Sequence, residues 1–344
     1  MDVHTVLKNV GELSSRFAAE RNERQQRRAL AAGDFAALRD AGFLLTGVPV
    51  EEGGVWQDLR RSARPVCEIL RVLAHGDPSV ALVCAMHPTV LALWLTSPEA
   101  PPPFQKAWAA QRSEIFQTAR DGAWWGTITS EPGSGGDMAK TKATARPAGG
   151  DGAYLISGQK QFGSGSGMTS YMATTALPEG ETTPDLFFLD MRGVLWDGTA
   201  GVTLAAPWDG HGMAATQSHA MAFAGFPGRR SAHPGSLLKR MEATGGFIPC
   251  AFASVIVGVV EAVVETARQN VARRRDTLRA YERVEWSRAE MEGWLVQQAY
   301  EGMLRAVEEG KEGRRRAAQA KTVIAELAES ATARICRVIG GGTF

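Results

Sequence analysis

An excess of charge of either sign is missing from this chain: 38 Lys and Arg stand against 37 Asp and Glu in 344 residues, a formal net charge of +1. No basic stripe is interleaved with aromatics, so the electrostatic footprint of a nucleic-acid binder is lacking and nucleic acid is not expected as a partner. Cysteine is scarce. Cys67, Cys84, Cys250 and Cys336 lie far apart and form no CxxC pair, which argues against a disulfide framework or a zinc knuckle and for free, buried thiols in a reducing compartment. No metal is expected. The start, Met1-Asp2-Val3-His4, has no basic stretch followed by an apolar core, and no apolar run is read as membrane-spanning, so a cytoplasmic protein without a membrane partner is expected. Internal repeats and low-complexity tracts are missing too. No G-x-S-x-G elbow occurs, and Ser218 and His219, adjacent on a predicted strand, point to opposite faces and cannot form a hydrolytic pair. The Gly163-Ser164-Gly165-Ser166-Gly167 run lacks a βαβ context, which removes a Rossmann reading.

What is present is an ordinary globular composition, 44% hydrophobic and 22% charged, in a chain long enough for two or three subdomains. Val6, Leu7, Val10, Leu13 and Phe17 recur at helical spacing. Asp34 is placed to cap a second helix, Phe35 to Ala41, which Gly42 closes before an extended Leu44–Pro49. A helix from Leu59 to Ala74 follows, and Asp77-Pro78 opens an apolar helix, Val80 to Trp94, that Pro88 should kink or break. Phe104 to Gln117 completes a helical N-terminal domain, 1–121. In 122–234 the character changes to β-rich runs between Gly, Pro and Asp, with strands at Lys142–Arg146, Tyr154–Ser157, Tyr171–Thr175, Leu186–Met191, Val202–Leu204 and His219–Phe223, as in a small barrel or sandwich. From 235 to 344 the helical period returns in long stripes, an antiparallel bundle. The fold class is therefore α+β, mostly α.

The stretch Trp124 to Asp137 joins the first two regions. A short β-branched run breaks there into Ser130-Glu131-Pro132-Gly133-Ser134-Gly135-Gly136, where small residues free backbone N–H groups and Thr129 and Ser130 add hydroxyls. Three further segments stand in order around it: Leu38-Arg39-Asp40-Ala41-Gly42-Phe43 with Pro49-Val50-Glu51-Glu52-Gly53-Gly54; Ser157-Gly158-Gln159-Lys160-Gln161-Phe162-Gly163-Ser164; and Arg337-Val338-Ile339-Gly340-Gly341-Gly342. Over essentially the whole length this order resembles the acyl-CoA dehydrogenase superfamily of flavoproteins. The resemblance implies a flavin-dependent oxidoreductase acting on an acyl-CoA-like thioester, with FAD, or alternatively FMN, in the crevice between β-domain and bundle. It implies that Thr129, Ser130 and the nearby main chain contact the isoalloxazine ring, that Phe162 and Ser164 pack against it and hydrogen-bond its N5 region, that Arg274 clamps the flavin diphosphate of a neighbouring subunit, and that Gly340 and Gly341 form the C-terminal glycine motif. Read without the family, Phe162 is a barrel-core aromatic and Arg274 a solvated arginine at a helix end. The family also implies a homodimer or homotetramer.

Departures from the pattern bear on the reaction. The glutamate that removes the substrate's α-proton in this superfamily stands either early in the first bundle helix, where this chain has Ile248, or beyond the glycine motif, where the chain stops at Phe344. Neither Glu131 nor Glu261 takes its place by motif. The stop directly after the motif points to further residues in the natural chain. A second branch, the flavin monooxygenases similar to dibenzothiophene monooxygenase, lacks that glutamate, uses reduced flavin and oxygen on a small organic substrate, and needs a flavin reductase as partner. There His87 would supply a proton beside the flavin; as a plain sequence feature it is a helix histidine before Pro88. A superfamily scaffold without catalysis is the remaining alternative.

Overall fold

The computed structural model describes residues 1–134, 136–150 and 152–340. Its helices are α1 (Val3–Ala19), the single turn α2 (Arg21–Arg24), α3 (Ala32–Asp40), α4 (Leu59–Gly76), α5 (Pro78–Leu95), α6 (Gln105–Arg120), α7 (Leu237–Ala243), α8 (Phe247–Arg273), α9 (Ala280–Glu309) and α10 (Gly313–Ile339). The strands are β1 (Trp125–Thr127), β2 (Thr144–Pro147), β3 (Ala153–Gly163), β4 (Tyr171–Pro178), β5 (Asp185–Asp190), β6 (Val202–Ala206) and β7 (His219–Arg230). These elements form two compact units of discontinuous chain. One holds residues 1–2, 25–57 and 82–244, the other 3–24, 58–81 and 245 onward.

In the first unit β4 pairs with β1 and β2 along one edge and with β5 along the other, while β3 joins β2 to β7 and β7 meets β5. The ladder therefore returns on itself as a small closed barrel, filled by Ile128, Ile156, Met172, Phe187, Leu189, Met221 and Phe226. Each of the six expected strands is present. β3 and β7 run well beyond their expected ends because a bulge absorbs Gly225, at φ 72°, opposite Ser157, whose hydroxyl accepts the Gly225 N–H at 3.0 Å.

The second unit is the bundle of α1, α4 and α8–α10. Gly258 lets α8 lie directly on α4: a Cβ there would fall 2.2 Å from the Arg71 carbonyl oxygen. Ion pairs stitch the helices together, Arg64 with Glu301 and Glu308, Arg71 with Glu68 and Glu261, and Arg334 with Glu285 and Glu292. Asp58 caps α4 by accepting the Arg61 N–H at 2.9 Å, and the Asp77 carboxylate accepts the Val80 N–H at 3.0 Å.

Four expectations need correction. Asp34 does not cap α3; the helix begins at Ala32, and Asp34 lies in its first turn, paired with Arg27 at 3.2 Å, where a carboxylate suits the helix dipole. The segment after Gly42 is not extended but a 3₁₀ turn, Phe43–Gly47, whose tight bonds bury both Phe43 and Leu44. Pro88 does not break α5, which runs unbroken and apolar on all sides because protein surrounds it. Finally, α5 and α8 are each long and apolar enough to cross a membrane by length and composition, and 78% and 56% of their apolar windows are buried inside the protein.

Candidate functional site

The barrel unit concentrates its unusual chemistry where β1 gives way to the Ser-Glu-Pro-Gly turn. Ser130 bridges to Gln161 on β3, whose N–H donates to the Ser130 carbonyl at 2.9 Å. The turn is locked from below by a buried ion pair. Lys160 is fully buried, and its ammonium donates to Glu131 Oε1 and to the Thr175 carbonyl, both at 2.6 Å. The Glu131 carboxylate also accepts the N–H groups of Lys142 and Ala143, at 2.7 and 3.1 Å. Burial pushes the Glu131 pKa up, but the hydrogen bonds from Lys160 and the two amides outweigh it and hold the carboxyl below the usual range. Burial draws Lys160 below the usual lysine value, against the attraction of Glu131. Glu131 is thus a structural anchor, while Glu261, in the bundle unit, is engaged by Arg71 and Gln297.

This anchor sets out Thr129 and Ser130, both half-buried, with side-chain hydroxyls that have no hydrogen-bond partner among the described residues. At the end of β3 Phe162 stands beside them in sequence register. It is 51% exposed, its backbone is at φ 58°, and its ring meets Trp208 edge-on at 6.2 Å. A barrel-core aromatic it is not. A left-handed backbone at a bulky residue is a strained arrangement that persists only where surrounding structure imposes it. Met213, at φ 51°, and Gln217, at φ 48°, share the strain, and both belong to the loop that packs on the Gly163–Thr169 turn. There the Gly165 N–H donates to the Thr216 carbonyl at 2.8 Å, the Trp208 indole N–H to the Met213 carbonyl at 3.2 Å, and the Trp208 N–H to His219 Nδ1 at 2.9 Å.

Ser164 lies in the same turn, but its hydroxyl is buried, 2.7 Å from Ser218 Oγ, which is itself 2.7 Å from Thr216 Oγ1. His87, on α5, has no exposed surface; its Nε2 is 2.9 Å from the Leu44 carbonyl oxygen, and Nδ1 accepts the Trp125 N–H at 3.2 Å. Burial, opposed only by the hydrogen bond to Leu44, lowers its pKa to about 4. Both ring nitrogens are therefore occupied by backbone. The expected proton-donating role would require one of these bonds to break.

In the bundle unit Arg274 follows the end of α8, donating to the Val338 carbonyl at 3.1 Å and to Glu282 at 3.3 Å. That carbonyl lies two residues before Gly340, which ends α10 at φ 93°; Gly341 lies outside the described residues. Ile248 is half-buried in the first turn of α8. Sequence reasoning missed Lys160, Trp208, Met213 and Gln217. Only Lys160 left a trace, inside the quoted segment, and nothing in residue type announces a left-handed Met or Gln.

No family model and no curated protein matches the chain. Solved structures do. Butyryl-CoA dehydrogenase from Megasphaera elsdenii aligns over 99% of this chain and 88% of its own at 18% identity, with a TM-score of 0.80. KijD3, solved with FMN and dTDP-3-amino-2,3,6-trideoxy-4-keto-3-methyl-D-glucose, aligns over 99% and 84% at 20% identity and 0.78. The dibenzothiophene monooxygenase TdsC from Paenibacillus sp. A11-2 aligns over 98% and 87% at 19% identity and 0.72. Over 98–99% of its length the chain thus shares the acyl-CoA dehydrogenase fold of these structures.

Proposed function

We propose that this protein is a flavin-dependent oxidoreductase of the acyl-CoA dehydrogenase type. The observation that carries the reading is Phe162, half-exposed and strained, one residue past the Ser130–Gln161 bridge, with the hydroxyls of Thr129 and Ser130 unpartnered among the described residues. An aromatic wall flanked by fixed donors suits a planar, electron-accepting ring, and the Glu131–Lys160 anchor keeps those donors from turning away. A bound flavin supplies the capacity to take or give a hydride or single electrons. The chain's own residues bind and orient it: Thr129 and Ser130 through hydroxyls and Phe162 through its ring face, while Arg274, through the face of its guanidinium not spent on Glu282, serves the diphosphate of a flavin held by a neighbouring subunit. FAD is the proposed cofactor; the two solved relatives with flavin in their names, KijD3 and TdsC, carry FMN, which is the alternative to test beside it.

The proposed substrate is an acyl-CoA-like thioester. A specific observation favours a second reading, oxygen-dependent chemistry on a small organic molecule served by a separate flavin reductase: Ile248 stands where a base is needed, and Glu131 and Glu261 are both committed to cations. Anaerobic addition of acyl-CoA to the flavin-loaded protein bleaches the bound flavin only under the first reading. Turnover that needs reduced flavin and oxygen and ignores acyl-CoA selects the second. A protein that stays colourless with both FAD and FMN is a scaffold, and the flavin reading fails.

The proposal extends to self-association and location. Tyr281, Val284, Met291, Trp294 and Leu295 leave an apolar stripe exposed along α9, the kind of surface that a homodimer or homotetramer covers. Light scattering tests it, and a monomer at micromolar concentration refutes it. All four cysteines are free, in keeping with a soluble protein of the reducing cytoplasm.

A further inference from the structure

We propose that the barrel unit binds a small monovalent inorganic anion, of the halide class, beneath its surface beside Trp108, with Arg240 on α7 as the principal partner. The proposal does not rest on the flavin reading. Arg240 has no exposed surface. Its guanidinium lies over the rings of Trp94 and Trp108, 4.7 and 4.6 Å from their centroids. Nε donates to the Leu93 carbonyl at 2.8 Å and Nη1 to the Ser231 hydroxyl. Nη2, equally buried, has no hydrogen-bond partner among the described residues, and no carboxylate among them pairs with Arg240. Asp185, the acid whose field reaches it, is bonded instead to the Arg230 guanidinium at 2.8 Å and to the Gly235 N–H at 2.9 Å.

Other unmet donors gather at the same indole. His233 is buried and edge-on to Trp108, with 5.7 Å between ring centroids, and its Nδ1 has no partner among the described residues. A neutral imidazole can carry its proton on that nitrogen. The His233 backbone N–H donates at 3.5 Å to the Ser231 oxygen that Arg240 also uses. That oxygen accepts twice, and its own proton has no acceptor among the described residues. Arg112 stands one turn along α6 from Trp108, and its Nε is a third buried nitrogen without a partner. Burial, opposed by Asp185 and reinforced by Arg112, draws Arg240 down to about 9, which still leaves it charged at pH 7. A buried charge without a counter-ion and a buried donor without an acceptor are both heavily disfavoured. A water molecule would accept the bonds without balancing the charge; one anion does both. The ion sheds its water to enter, which favours a weakly hydrated monovalent ion over sulfate or phosphate.

The test pairs urea denaturation with crystallography. The protein as purified is unfolded at constant ionic strength while sodium bromide replaces sodium gluconate, and crystals grown with bromide are examined for anomalous scattering. For a dissociation constant on the order of 1 mM, bromide at about 100 mM should lower the wild-type unfolding constant about 100-fold, with saturation. Arg240→Met, which removes the charge and keeps the bulk, should show no saturable bromide effect. Ser231→Ala keeps the charge, should weaken bromide about tenfold, and serves if Arg240→Met does not fold. An anomalous peak within hydrogen-bond distance of Arg240 Nη2 is expected. No saturable effect in wild type, an equal effect in the variants, or a water at Nη2 in bromide-grown crystals overturns the proposal. A peak without any effect in solution marks an adventitious ion only and overturns it as well. Sulfate acting through Arg240 as strongly as bromide overturns the choice of a monovalent ion. Saturable bromide binding by a protein that takes up no flavin leaves the site standing while the flavin reading falls.

Discussion

Replacing His87 with glutamine should remove an acid sensitivity built into the wild-type protein. The ring is wholly buried, and its pKa of about 4 lies below its ordinary value of 6.5. Between those values the unfolded chain binds a proton that the folded chain refuses, so stability falls as pH drops below 6.5 and the loss is complete near pH 4. Each pKa unit is worth about 1.4 kcal/mol, so the full gap amounts to about 3 kcal/mol, and about 2 kcal/mol of it is lost between pH 7 and pH 5. Glutamine cannot titrate, yet its amide can still offer an acceptor to the Trp125 N–H and a donor to the Leu44 carbonyl. Urea denaturation of both proteins at pH 7, 6 and 5 should show the His87→Gln variant weaker at pH 7 by about 1 kcal/mol, for imperfect hydrogen bonds. Its decline towards pH 5 should be shallower by about 2 kcal/mol. Parallel declines would refute the reasoning, as would an NMR titration of the His87 ring near 6.5. The same variant separates structure from chemistry, because a proton-donating His87 would lose turnover far beyond what its loss of stability explains.

The buried anchor gives a second expectation: Lys160→Met strands the Glu131 carboxylate and should cost about 3–5 kcal/mol, read by chemical denaturation, together with weakened flavin uptake. Unchanged stability would mean the pair is not buried as described. Phe162→Gly should relieve the left-handed strain and leave the melting temperature equal or higher by an amount corresponding to about 1 kcal/mol, while flavin affinity, followed by fluorescence, falls about tenfold or more; a destabilised variant with intact flavin binding would reverse the assignment. Gly258→Ala forces α8 away from the Arg71 carbonyl and should destabilise by about 1–3 kcal/mol, and a neutral result would show that the two helices are not in contact there.

Most of the fold was legible because its elements obey local rules. The strands beginning at Tyr171, Val202 and His219 start where β-branched and aromatic alternation starts, and Asp77 sits where a helix N-terminus needs a side-chain acceptor. What was not legible depended on tertiary partners. Gly225, Pro227 and Gly228 read as the end of a strand, yet β7 continues through them to Arg230 because β3 supplies a ladder and Ser157 a hydroxyl. Pro88 reads as a kink or a break; the break does not occur, because removing one N–H from a helix enclosed by protein leaves the rest of its hydrogen bonds in place.

The site followed the same division. Thr129, Ser130 and Phe162 could be singled out because short segments of small and polar residues carried the resemblance, and the structure brings those segments together through the Ser130–Gln161 bridge. Lys160 sat within one of those segments without its role being visible, since a lysine in a strand is ordinarily solvated and only the Glu131 carboxylate, 29 residues earlier, makes its burial tolerable. His87 shows the converse. Residue type suggested a titrating group near neutrality, but the environment decides the pKa, and that environment is assembled from Leu44 and Trp125, each about forty residues away in sequence. Chemistry written in a residue's own side chain is readable in advance; chemistry imposed by what surrounds it has to wait for the fold.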